Sequence, residues 1–280
     1  MMRANFLGSS FFSVALLGLV AACGGEGASI GTTNNEIAHA VGDVMGSADE
    51  SLSRSTVTSS AVSALAGGSC YSASYSSCSS NERTVTYDQC VFGPLTLSGE
   101  VKFVFSAGSS CTINNTSDSI RRVPNFELVG RSGGKVGVVT YNPTTSGQTI
   151  TKTGTSIYSY QVSGVRRYFE NSSGTRTVDI GVSTTSAIQI SGTTRATRQL
   201  TGGTLLVTDN LDGSSVSLTP DSLRWTAGCS CATSGSWIGQ KTDASGVVQD
   251  FVVTLSGCGK AEVTVGADVA SLTLERCVAL

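Results

Sequence analysis

The chain has 280 residues, 14% charged and 39% hydrophobic, with a formal net charge of −2 and a pI near 5.4. Nucleic-acid-binding domains normally carry a strongly basic face, so this balance argues against a nucleic-acid partner. Charged residues fall well below the roughly 25% of an ordinary soluble domain, and four prolines are too few for a proline-rich stalk.

The first 25 residues carry an address. Arg3 and the free amine supply a short positive region, and the apolar run "FLGSSFFSVALLGLV" follows at residues 6–20. That run is shorter than the roughly 18–20 apolar residues that span a bilayer, and it suits a cleavable secretory segment. It ends in Leu19-Val20-Ala21-Ala22-Cys23. An aliphatic residue, two small residues and a cysteine in this context resemble the lipobox of bacterial lipoprotein precursors. The resemblance, confined to this segment, implies cleavage before Cys23, a diacylglycerol on its thiol and an acyl chain such as palmitate on the new amine. Two or three acyl chains make a lasting anchor where one would not. Gly24 rather than Asp follows the cysteine, which by analogy with enteric-type sorting implies the outer membrane.

Residues 24–33, "GGEGASIGTT", are small and read as a tether. Then Ile37, Val41, Val44, Met45, Ala48 and Leu52 recur at spacings of three and four, the stripe of an amphipathic helix. Thr33 or Asn34 can cap it, with Glu36 in the first turn. Val57, Val62 and Leu65 extend the pattern to Gly67-Gly68, a plausible stop.

From about residue 83 the period changes to two. Segments such as "PLTLSGEVKFVFS", "SIYSYQVSGVRRYF", "TTRATRQLTGGTLLVTD" and "VVQDFVVTLSG" are rich in Val, Thr, Tyr and Phe, and turn clusters such as "ENSSGT", "DNLDGSS" and "DASG" separate them. Strands joined by short loops, with no alternating helices, mean an antiparallel meander. Gly164, Gly181 and Gly202-Gly203 fall inside the strands and read as bends or bulges. The expected fold is mainly β: a long curved antiparallel meander, a partial barrel or open sheet, with one or two N-terminal helices packed on it. A sandwich is the alternative. The expected division is 1–22 signal peptide, 23–33 lipidated tether, 34–68 helical segment and 69–280 antiparallel β domain.

Nine cysteines are present. With Cys23 set aside for lipidation, Cys70, Cys78, Cys90, Cys111, Cys229, Cys231, Cys258 and Cys277 remain. An even number in an exported chain reads as disulfides. They form two clusters, and pairing is expected within each, though spacing leaves the connectivity open. Cys258 and Cys277 could join neighbouring strands of a terminal hairpin, whereas a bond between Cys229 and Cys231 would be strained. A four-thiolate zinc site from the second cluster is disfavoured, because C-x-C is not the usual knuckle spacing and no histidine lies nearby.

Catalytic patterns are sparse. The single histidine, His39, has only Asp43 at i+4 and no G-x-S-x-G elbow to serve, so it reads as a packing or surface residue. Asp212-Gly213 reads as a hairpin turn rather than a calcium loop. "SGVRRYFEN" is the densest mixture of charge and aromatics. On a strand Arg166 and Tyr168 face one way and Arg167 and Phe169 the other; contact with a ligand or glycan is one reading, and a half-buried strand explains the pattern equally well. No enzyme, metal or cofactor is expected. Two functions of different class remain. One is a lipid-anchored structural or interaction module of the bacterial envelope, periplasmic or surface-facing. The other is a carrier holding a lipid or other apolar ligand in the concave face of the sheet, by loose architectural resemblance to periplasmic lipoprotein carriers. A filled concavity favours the first, and an apolar cavity the second.

Overall fold

The computed structural model describes residues 31–56, 71–73, 81–92, 95–106, 111–274 and 276–280. Helix α1 spans Gly31–Thr56, 26 residues, or about 39 Å at 1.5 Å per residue. It begins earlier than the capping pattern predicts. Thr33 and Asn34 lie inside it, no acidic residue sits in its first turn, and residues 31–33 are helical rather than tether. The extension expected from Val57 to Gly68 lies outside the described residues.

The described strands belong to one antiparallel sheet: β1 (Tyr71–Ala73), β2 (Glu82–Phe92), β3 (Leu95–Phe105), β4 (Ser119–Gly130), β5 (Lys135–Thr140), β6 (Gly147–Gly154), β7 (Ile157–Ser163), β8 (Val165–Glu170), β9 (Arg176–Ser186), β10 (Ile188–Ser191), β11 (Gln199–Thr201), β12 (Thr204–Asp209), β13 (Ser215–Trp225), β14 (Ala232–Thr242), β15 (Val248–Gly257), β16 (Lys260–Val265) and β17 (Asp268–Thr273). The pairings reduce this to a simple meander of long rows, several broken in the middle. Along β4, Ser119–Arg122 pair with β6 and Asn125–Val129 with β5. Next, β7 pairs with β6 and β8 with β5. The row of β9 and β10 lies beyond them, then that of β11 and β12, and β13 spans both halves again.

The breaks line up across the sheet. Residues 141–146 leave the ladder opposite Gly164, since Thr140 pairs with Val165 and Gly147 with Ser163. Ala187 interrupts the next row beside Gly202-Gly203. Gly203 has φ +72°, and a Cβ there would fall 2.3 Å from the Ala187 carbonyl oxygen, so only glycine allows this approach. In β13 the register shifts between Asp221 and Arg224, and Gly235 of β14 packs against the backbone of Ser222. A seam of bulges is how a sheet acquires strong curvature. Gly164 and Gly202-Gly203 thus behave as the strand pattern predicts. Gly181 does not: it sits in regular ladder within β9, without a positive φ.

The curled sheet encloses α1. The helix touches β4 and β6 early in the meander, β9 in its middle and β17 at its end. Residues 36–38 and 40–49 are all buried, so the helix is covered on every side rather than packed by one stripe. Inward residues of the strands are apolar, as with Val216, Leu218 and Leu223 of β13, while its outward Ser217, Thr219, Asp221 and Arg224 are polar. A spanning barrel in a membrane has the opposite arrangement.

Candidate functional site

The face of α1 opposite its apolar stripe carries Glu36, Asp43 and Glu50, and Asp49 lies at the edge of the stripe. Glu36, Asp43 and Glu50 recur at intervals of seven, close to two helical turns, so they share a face. Unpaired charges in such an interior would be strongly destabilising, and the sheet supplies arginines to meet them. Asp43 accepts hydrogen bonds from Arg276 at 2.7 Å and Gln148 at 3.0 Å. Glu50 accepts from Arg122 at 2.9 Å and Arg276 at 3.0 Å. Asp49 accepts two bonds from Arg195, each 2.8 Å, and another from Arg198. Ser47 bonds the hydroxyl of Tyr160 at 2.9 Å. Gly46 leaves room for the Arg276 side chain, which a Cβ there would meet at 2.8 Å.

These contacts set the charge states. Burial alone would raise the Asp43 pKa, but Arg276, Arg122 and Arg167 reverse that and hold it below the usual carboxylate range. Burial pushes the Arg198 guanidinium down despite Asp49, and it pushes the Tyr160 phenol up. Glu36 differs from the other acids. Burial, with a hydrogen bond to Asp209 and the charges of Asp209 and Asp212, raises it to about 8, opposed by Lys241. It therefore holds a proton at neutral pH and shares it with Asp209.

A second constellation lies on the outer wall, where "SGVRRYFEN" becomes β8. The alternation is as the sequence predicts. Arg167 and Phe169 turn inward, Arg167 over the Phe169 ring at 5.6 Å and Phe169 against His39 with ring centroids 4.5 Å apart. Arg166 and Tyr168 turn outward into a ladder of alternating rings and cations. Arg166 lies 5.6 Å from the Tyr141 ring and 6.0 Å from that of Tyr168, and Arg176 covers Tyr168 at 4.6 Å. Asp179, buried beneath, accepts from Arg166, from Arg176 at 2.9 Å and from Asn210 at 3.0 Å. Burial opposes its ionisation, but the three hydrogen bonds bring its pKa down to about 2. The Tyr168 hydroxyl donates to Glu127, and its ring lies over Gly137, where a Cβ would fall 2.2 Å away. Tyr141 is 52% exposed at the end of this ladder. Tyr168 is itself buried under Arg176, so the surface presented is the Tyr141 ring with the guanidinium edges of Arg166 and Arg176, pre-ordered for contact with a sugar ring or a partner's side chains.

The other residues singled out in the sequence fall as follows. Cys229 bonds Cys258, and Cys231 bonds Cys277. The two members of C-x-C thus have separate partners, and the expected hairpin pairing of Cys258 with Cys277 is corrected. The reason is that Cys277 lies past the end of β17, in a C-terminal segment that folds back to place Ala279 against Cys229. These bonds consume the four sulfurs considered for zinc. Cys90 and Cys111 are also disulfide-bonded. Cys23, Cys70 and Cys78 lie outside the described residues. Burial, with the charge of Arg167, lowers the His39 pKa to about 3 against the pull of Asp43. The Asp43 carboxylate is engaged by Arg276 and Gln148, and the His39 ring packs against Phe169 between helix and sheet. Asp212-Gly213 forms the expected turn, Asp212 accepting from the Ser214 amide at 2.7 Å.

Comparison of the chain with protein-family models, with curated proteins and with solved structures gives no match.

Proposed function

We propose that this chain is a lipid-anchored lipoprotein of the bacterial outer membrane whose β domain acts as a structural or interaction module of the envelope. One observation carries the choice over a carrier. The concave face of the sheet, where a carrier holds its ligand, is occupied by α1, whose residues 40–49 are all buried. The helix is fixed there twice over, by its apolar stripe, which packs into the core of the sheet, and by ion pairs to Arg122, Arg195, Arg198 and Arg276. The Val20-Ala21-Ala22-Cys23 motif supports the anchor, and disulfides accord with an oxidising compartment outside the cytoplasm. The Tyr141–Arg166–Tyr168–Arg176 ladder is the surface offered to a partner.

Metabolic labelling with an alkyne fatty acid tests the anchor. Label is expected on the wild-type protein and not on Cys23→Ala, and label that persists on the variant refutes the lipobox reading. Photo-crosslinking from position 141 in intact cells tests the ladder. The expected result is one discrete adduct, lost in Arg176→Ala, and adducts indifferent to that substitution refute the ladder as the contact surface.

A further inference from the structure

The enclosed helix has a direction, and that direction orients the domain. Glu36, near the start of α1, meets Asp209, Asp212 and Lys241, beside the β12–β13 hairpin turn. Asp49, near its other end, meets Arg195 and Arg198, in the connection from β10 to β11. The N-terminus of α1 therefore opens among the turns at one end of the sheet, those at 210–213 and 243–247 included. The opposite end lies about 33 Å away, the length of β13 at roughly 3.3 Å per residue. From Gly31 back to Cys23 the chain has only eight residues, a reach of at most about 29 Å even when fully extended.

Two neighbouring turns at this end differ from the polar turns at 131–134 and 171–175 beside them. Leu211 is 52% exposed at the tip of β12–β13, and Val247 and Val248 are 62% and 52% exposed at β14–β15. The two tips are neighbours, since Ser215 pairs with Thr242 directly below them. Their carboxylates are folded back: Asp212 accepts from the Ser214 amide, and Asp243 accepts from the amides of Ser245 and Val247. With these carboxylates turned in, the two tips present Leu211, Val247 and Val248, and exposed Arg131 stands in a turn at the same end.

We propose that this end of the domain rests on the lipid surface, with Leu211, Val247 and Val248 dipping into it beside the acyl anchor. This inference rests on the reading that Cys23 is lipidated. It leaves the outer wall, with the Tyr141–Arg176 ladder, upright and facing away from the bilayer plane.

The test uses full-length protein, purified after export and reconstituted into phosphatidylcholine–phosphatidylglycerol vesicles whose acyl chains are brominated, which quench indoles on contact. Leu211→Trp and Val247→Trp report the end by the tether, and Ile157→Trp reports the far end. The native indoles, Trp225 and Trp237, are buried and set the baseline. The expected result is at least twofold more quenching for the Leu211 and Val247 variants than for the parent, and none above the parent for Ile157→Trp. Equal quenching at both ends, or none at either, overturns the orientation. Intact mass of the same samples separates the two readings. Acylated protein with an unquenched tip refutes the orientation alone, whereas protein lacking acyl chains refutes the anchor and the orientation with it.

Discussion

Removing the Asp49 carboxylate probes the ion pairs that fix α1 inside the sheet. Arg195 and Arg198 both donate to it, and the side chains of Asp49, Arg198 and Arg195 are 5%, 3% and 32% exposed. In Asp49→Ala, Arg195 can turn to water. Arg198 cannot: it stays beneath the sheet, 5.9 Å from the Trp225 ring, with its counter-charge gone. Breaking a buried pair by deleting one partner costs about 3–5 kcal/mol. For a domain of this size each kcal/mol lowers Tm by about 2–4 °C, so a drop of about 6–20 °C is expected. Replacing both charges, in Asp49→Leu/Arg198→Met, removes the stranded cation and should recover most of the loss, to within about 2 kcal/mol of wild type. Urea unfolding followed by tryptophan fluorescence, with disulfides intact, measures both. A cost below about 1 kcal/mol for Asp49→Ala, or a double variant no better than the single, would refute the claim that a desolvated ion pair holds the helix.

Glu36 binds its proton more tightly in the folded chain than in the unfolded one. Its contribution is therefore complete below about pH 4.5 and is lost as pH rises through about 8, at a slope of up to about 1.4 kcal/mol per pH unit. Wild type should lose stability relative to Glu36→Gln over that window, and parallel pH profiles for the two proteins would contradict the shared-proton geometry. The disulfides Cys229–Cys258 and Cys231–Cys277 close segments of 29 and 46 residues, and loop entropy assigns each about 4 kcal/mol. The double serine variant of either pair should lose that much in denaturant titration, and a loss under 1 kcal/mol would exclude it. Gly239→Ala places a Cβ 2.2 Å from the buried Phe251 ring, an overpacking cost of about 1–3 kcal/mol. Adding Phe251→Leu should relieve it, and failure of that rescue would show that the ring is not the obstacle.

The meander was legible because period-two alternation survives even where strands break. β13 alternates inward Val216 and Leu218 with outward Ser217 and Thr219 as plainly in sequence as in the fold. Gly164 and Gly202-Gly203 announced the seam, because an internal glycine in a strand has few other uses. Gly181 shows the limit of that signal, since glycine also sits in unbroken ladder. The helix stripe was legible too, but its meaning was not. An amphipathic pattern predicts water opposite the stripe, and here that face meets arginines from β4 and the C-terminal segment, 72 to 233 residues away. Sequence spacing carries no trace of such pairs. The interval of seven joining Glu36, Asp43 and Glu50 was the available signal, since a solvated face has no need of that regularity. The outward ladder was half visible. "SGVRRYFEN" placed Arg166 and Tyr168 on one face, but Arg176, Asp179 and Tyr141 join them only through the pairing of β8 with β9 and the excursion at 141–146. Cysteine pairing within the second cluster was legible, and its connectivity depended on the fold-back of the last four residues.

The central claim is that the concavity is filled by the protein's own helix and holds no cargo. Native mass spectrometry of the mature domain tests it most directly, with Cys23 replaced by serine and the chain exported to a periplasm. The account predicts a bare protein, eight hydrogens lighter than the reduced chain, since the even count of eight cysteines besides Cys23 leads to an expectation of four bonds. A lipid or other apolar molecule retained at one per chain would contradict it and make the domain a carrier whose helix yields to its ligand.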